Sequence, residues 1–155
     1  MKKTLRTFSL LLLLSLAFTS CKKDDDDTQN NVSTNKITLS IDNGTEIVYT
    51  DVTGVALADK LTIGASNSNS DIQIIVDSDI SQGTYTSPTQ IGMSHGVHSQ
   101  AVFTSATNTT SLSFEVTSHD TAAKHIKGSF SLSYNDNHDN TIQHNATGTY
   151  DVTYH

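Results

Sequence analysis

From Lys36 onward, apolar residues recur at every second position in short runs, and the runs are separated by clusters of Asn, Asp, Ser and Gly. Period two is the mark of strands with one buried face, and no stretch shows the 3.6-residue spacing of a helix. Ile37, Leu39 and Ile41 form the first run, followed by Asp42-Asn43-Gly44-Thr45. Asn-Gly at the centre of a two-residue loop predicts a hairpin, because both residues tolerate positive φ. Ile47 and Tyr49 continue, then Val52 to Leu57. A turn at Asp59-Lys60 leads into Leu61, Ile63 and Ala65, and the polar tract 67–70 leads into Ile72, Ile74 and Val76. Residues 77–100 are rich in Gly and Ser and read as a long connection with a short strand near Tyr85. Val102 and Phe103 open the second half.

The last third carries the clearest alternation. Leu112, Phe114 and Val116 share a face, as do Ile126, Gly128, Phe130, Leu132 and Tyr134. Ile142, His144, Ala146, Gly148, Tyr150, Val152 and Tyr154 make a third set. A one-residue slip would turn each set outward, so the pattern constrains register. Pairing about 135–140 sets Gly128 opposite Gly148, Phe130 opposite Ala146 and an inward His144 opposite Leu132. Pairing about 118–124 sets Phe114 opposite Gly128. A ring over two neighbouring glycines would cover bare backbone.

These runs predict an all-β, antiparallel domain of about eight strands, a β-sandwich or flattened barrel with mostly meander connections. A lipocalin-like barrel is the alternative. Short strands and the long connection 77–100 favour the sandwich.

Before the strands lies a different kind of sequence. MKKTLRTFSLLLLLSLAFTS has a basic start and an apolar stretch from Ser9 to Phe18. That stretch is shorter than the roughly 20 apolar residues needed to cross a bilayer. Thr19 and Ser20 then lead to Cys21, the one cysteine of the chain, and KKDDDD follows. This order resembles a bacterial lipoprotein signal. The resemblance implies a signal peptide over 1–20, cleavage before Cys21, and diacylglycerol on its thiol. Phe18 stands where Leu is commoner, and SCKKDDDD is similar to the looser signals of Bacteroidota lipoproteins. In those proteins an acidic cluster after the lipidated Cys directs export to the cell surface, which implies that role for Lys22, Lys23, Asp24, Asp25, Asp26 and Asp27. A block of like charges is in any case a solvated spacer. The resemblance thus makes 21–35 an acylated tether, of which Lys22 to Asn35 would span about 20 Å as a flexible coil, and leaves 36–155 as the domain.

The sequence TSHDTAAKHIKGSFSLSYNDN, with the later IQHNATGTYDVTY, resembles the closing hairpin of a family of uncharacterised β-rich Bacteroidota lipoproteins. The matching positions are Asp120, Lys124, Ile126, Gly128, Phe130, Ser131, Leu132, Gly148 and Tyr150, and Gly83-Thr84-Tyr85 is similar to a mid-chain motif of that family. These are glycines and core residues, and the resemblance implies no activity.

Composition narrows the function. The net charge is −7 over 155 residues; losing the three positive charges of the leader would take it to −10. Arg6 is the one arginine, and it lies in the leader. An acidic domain without Arg is poorly suited to nucleic acid and to anionic substrates. With its one cysteine acylated, the domain would fold without disulfides.

Candidate chemistry is sparse. His95 and His98 stand at i, i+3 in the loop SHGVHS, and His119 and His125 bracket a turn. Zinc wants four ligands, and no second pair has the spacing to complete a site, so loop histidines in solvent are expected and no metal. His144 reads as an inward, hydrogen-bonded core histidine. The run 135–140 resembles half a calcium loop but lacks its sixth-position Gly and closing Glu; Asx residues also suit any hairpin tip. Asp77 and Asp79 read as a solvated strand end. No nucleophile, metal-protease, phosphate-loop or dinucleotide motif is present, so neither catalytic residues nor a cofactor are expected. Asp120-Thr121-Ala122 resembles the O-glycosylation acceptor of Bacteroidota, which makes Thr121 a candidate. The leading expectation is a non-enzymatic, surface-tethered lipoprotein of the outer membrane acting as a binding or structural module. Its partner is the membrane through the lipid anchor, with no nucleic acid. A carrier of an apolar ligand, lined by His144 and Tyr150, is the alternative.

Overall fold

The computed structural model describes residues 35–155. The signal peptide, Cys21 and Lys22 to Asp27 lie outside the described residues. Eleven strands form two antiparallel sheets that are not closed into a barrel, an all-β sandwich. One sheet has six strands in the order β2 (Ile47–Tyr49), β1 (Lys36–Ile41), β11 (Gln143–Thr153), β10 (His125–Asn135), β9 (Thr109–Asp120), β6 (Gly83–Tyr85). The other has five: β3 (Val52–Leu57), β4 (Lys60–Ser66), β5 (Ser70–Asp77), β7 (Gly92–Val97), β8 (Gln100–Thr104). Within the second sheet the connections are a meander, broken only by the excursion of β6 into the first.

Each predicted run forms a strand, and its alternating apolar members face inward, except at the end of β3, where Val55 and Leu57 are exposed, and before β11, where Ile142 is. Ile37, Leu39, Leu61, Ile63, Ile72, Ile74, Phe114, Ile126 and Val152 are all at most 1 % exposed. Two polar or aromatic links join the sheets. Tyr49 and Ser70 hydroxyls meet at 2.8 Å, and the Phe103 and Tyr134 rings pack at 5.1 Å.

Four expectations need correction. First, 77–100 is not mainly a connection: β7 lies within it. Its sequence GMSHGV holds two glycines, a serine and a histidine, so neither β propensity nor hydrophobicity announces a strand. Second, the first hairpin turn is centred on Asp42-Asn43, with φ of 51° and 56°, and Gly44 N donates to Ile41 O at 2.8 Å. Third, the register of the long hairpins differs by two residues. Gly128 pairs with Tyr150, Phe130 with Gly148 and Leu132 with Ala146; Phe114 pairs with Phe130 and Val116 with Gly128. Fourth, Ile142 precedes β11 and is 48 % exposed. Between β10 and β11 the shift has a simple cause. Asp136 accepts from His138 N and Asp139 N, so the loop is centred one residue later than its polar run suggests. That shifts pairing by two and leaves every face unchanged, so alternation is blind to it.

Rings do cover the strand glycines, but not the ring expected. Tyr150 lies over Gly128 and Phe130 over Gly148, while Phe114, fully buried, stacks on Tyr150 at 5.0 Å and 10°. Two bulges in β9 add to the coiling of the sheet. Their extra residues, Thr117 and Thr110, donate to Lys127 O and Ser133 O.

The edges are protected. β2 and β6 have three residues each, too short to template another strand. Along β3, Ala56 N donates to His155 O at 2.8 Å and His155 N to Gly54 O at 3.0 Å. Gly54 makes room for this approach: a Cβ there would fall 2.6 Å from Tyr154 Cβ.

Candidate functional site

The polar residues that act over a distance gather where the β10–β11 loop (136–142) meets the β1–β2 turn and the β7–β8 hairpin. The loop is built by its own Asx residues. Besides the two amides held by Asp136, Asp139 Oδ1 accepts from Thr141 N at 2.9 Å and Thr141 Oγ1 at 2.6 Å. The carboxylates that resemble half a calcium loop are therefore engaged in turn geometry. Both carboxyls are held below the usual carboxylate range. Backbone N–H groups from His138 and Asp139 do this for Asp136, and the Thr141 hydroxyl leads for Asp139.

The same loop guards the outer edge of β8. Asn137 Nδ2 donates to Ala101 O at 2.5 Å and stands 3.3 Å from Val102 O. Asn108, on the β8–β9 connection, accepts from Thr104 N at 2.8 Å through Oδ1. Its Nδ2 lies 3.1 Å from Val102 O, 2.9 Å from Asn135 O and 3.0 Å from Asn137 Oδ1. Two side-chain amides thus stand where a neighbouring strand would pair, as an edge requires.

His144 is the hub. It shares the parity of the inward set but lies at the sheet's end, half-buried, and not opposite Leu132. Its Nδ1 is 2.6 Å from Asp42 Oδ2 and its Nε2 3.6 Å from Asp136 Oδ2. Asp42 Oδ1 also accepts from Asn145 N at 2.8 Å. The Asp42 hydrogen bond raises the imidazole above its ordinary value; Asn145 N and His144 lower the Asp42 carboxyl. The His144 ring stacks on Tyr134 at 5.3 Å, whose phenol is pushed up to about 12, chiefly by burial.

Beside this clip opens a cleft of about 430 Å³, between the β7–β8 hairpin and the β10–β11 loop. Val97, Ala101 and Val102 supply an apolar lining; His98, Gln100, Asp136, Asn137 and His138 supply polar groups. Its size suits a small ligand. Among the described residues, no three His, Cys, Asp or Glu side chains are placed to hold a metal ion.

The other histidines do not converge. His119 Nδ1 donates to Ile80 O, and Tyr154 OH donates to His119 Nε2, each at 2.8 Å. His125 pairs instead with Asp151 at 2.6 Å. His98 is exposed at the hairpin tip, but His95 is not a loop residue: it is 1 % exposed in β7. Asp77 bonds Lys60 at 2.5 Å across β4 and β5, a solvated strand end as expected. Thr121 sits in the exposed β9–β10 turn, where Asp120 Oδ1 accepts from Ala122 N and Ala123 N.

Tyr150, expected to line a carrier's cavity, is occupied. It packs on Phe114 and donates to Glu115 O at 2.8 Å. Sequence reasoning missed Asp42, Asn108, Asn137 and the burial of His95. Asp42 looked like a turn residue and nothing more, because its partner is 102 positions away. No family model matches the chain, and no match to it was found among curated proteins.

Proposed function

We propose that the chain is a lipid-anchored, outer-membrane surface lipoprotein whose sandwich is a non-enzymatic binding or structural module. The observation that carries this reading is the polarity of β11. Asn35, where residues 1–34 join the domain, accepts from Thr153 N at 2.8 Å. His144, with its clip and cleft, stands at the other end of the same strand, nine residues or about 30 Å away. In a domain attached to its tether at Asn35, the loop cluster thus lies at the end of β11 away from the attachment. The leader, the lone Cys21 and the acidic run Lys22 to Asp27 support the anchor and the surface destination. The cleft's mixed lining suits a small neutral or cationic ligand better than an anion. The carrier reading loses support, because His144 is engaged with carboxylates at the surface and Tyr150 is spent within the core. In this compartment, Thr121 on its exposed turn would be open to O-glycosylation.

Membrane fractionation of Cys21→Ala tests the anchor. Acylation contributes about 0.8 kcal/mol per buried CH₂, so the variant is expected in the soluble fraction. Its recovery in carbonate-washed membranes would overturn the reading.

A further inference from the structure

His95 belongs to β7, paired on one side with Ile72 of β5 and on the other with Phe103 of β8. Its Nδ1 lies 2.8 Å from Asp71 O. A carbonyl only accepts, so Nδ1 carries the ring proton and Nε2 is a bare acceptor. That Nε2 is buried and has no hydrogen-bond partner. The ring packs against Phe103 at 5.6 Å, and Phe103 meets Tyr134 of the facing sheet.

A second proton on this ring would put a full charge at Nε2 with no acceptor to receive it, a costly arrangement in a core. The surroundings offer little relief. On β5 the one nearby carboxylate is Asp71, whose side chain is on the exposed face. β8 contributes no titratable side chain over Gln100–Thr104. From β10 comes Tyr134, a neutral phenol, with His144 beyond it. His98 is at the exposed hairpin tip. Burial outweighs Asp71 and holds the imidazole below its ordinary value.

We propose that His95 is an acid-release point: on taking up a second proton it leaves the core, and β7 and β8 open with it. Their hairpin forms one wall of the cleft, through Val97, His98 and Ala101, so the cleft is lost at mildly acidic pH. The release is local, because β10 and β11 are held by their own long ladders.

Amide hydrogen exchange of the full chain between about pH 7.5 and pH 5 tests this, corrected for the intrinsic rate. Below the ordinary imidazole value of 6.5, opening that requires one proton grows by about tenfold per pH unit. Residues 92–104 should follow that slope while 126–134 stay protected, and His95→Phe should abolish the slope. An equal slope in His95→Phe, or none in the parent, would overturn the proposal. If His95→Phe does not fold, NMR of the parent's imidazole decides. A neutral ring for as long as 92–104 stay protected supports it; an imidazolium within the closed sheet overturns it.

Discussion

The ring of Tyr150 fills the space that a side chain at Gly128 would need, and its hydroxyl donates to Glu115 O across β10. A Cβ on Gly128 would fall 2.7 Å from Tyr150 Cζ and collide with Glu115 O as well. Gly128→Ala should therefore destabilise the domain by about 1–3 kcal/mol through overpacking. Tyr150→Phe, which removes only the hydroxyl, should cost about 0.5–1.5 kcal/mol. The double variant should depart from additivity by about 0.5–3 kcal/mol, as contacting residues do. Urea melts of the singles and the double measure this, and strict additivity would contradict the contact.

The His144 clip predicts a pH signature. His144 is raised by Asp42, so its stabilisation is full below the ordinary imidazole value and fades as pH rises through the higher folded one. Asp42 is lowered, so its share is present above the ordinary carboxylate value and fades as pH falls through the lower folded one. The clip works between those two folded values. His144→Gln should lower the melting temperature more at about pH 5.5 than at about pH 8.5. The effect is small because both groups are solvated. A pH-independent gap between parent and variant would contradict it.

Asn108 ties the β8 edge to the β10–β11 loop. Asn108→Ala leaves Thr104 N and several carbonyls short of partners and should cost about 1–3 kcal/mol. Thermal melts would read it, and a shift no larger than that of Lys127→Ala, an exposed control, would show that the amide bridge contributes nothing.

How much of this was legible in the sequence follows from what alternation can report. Ile37, Ile72 or Val152 announce themselves, because a wrong face would expose them. Register is a different matter. Phe130 faces inward whether it pairs with Ala146 or Gly148, so only the Asx geometry at Asp136 decides. β7 escaped because Gly92, Ser94, His95 and Gly96 carry little strand signal, and its place between β5 and β8 comes from tertiary pairing. The site escaped for the same reason: Asp42, Asn108, Asp136 and His144 meet through topology, and no local spacing encodes the meeting.

The proposed display of the loop cluster around Asp136 and His138 outside the cell is open to direct test with one thiol. Cys21 is the one cysteine and would be acylated, so His138→Cys supplies a single free thiol on an exposed loop. Intact cells treated with a membrane-impermeant maleimide should label His138→Cys to the same extent as lysed cells. Asp24 to Asp27→Ala in the same background should lose that labelling without loss of folding. Labelling of His138→Cys that appears only after the outer membrane is permeabilised would contradict the account.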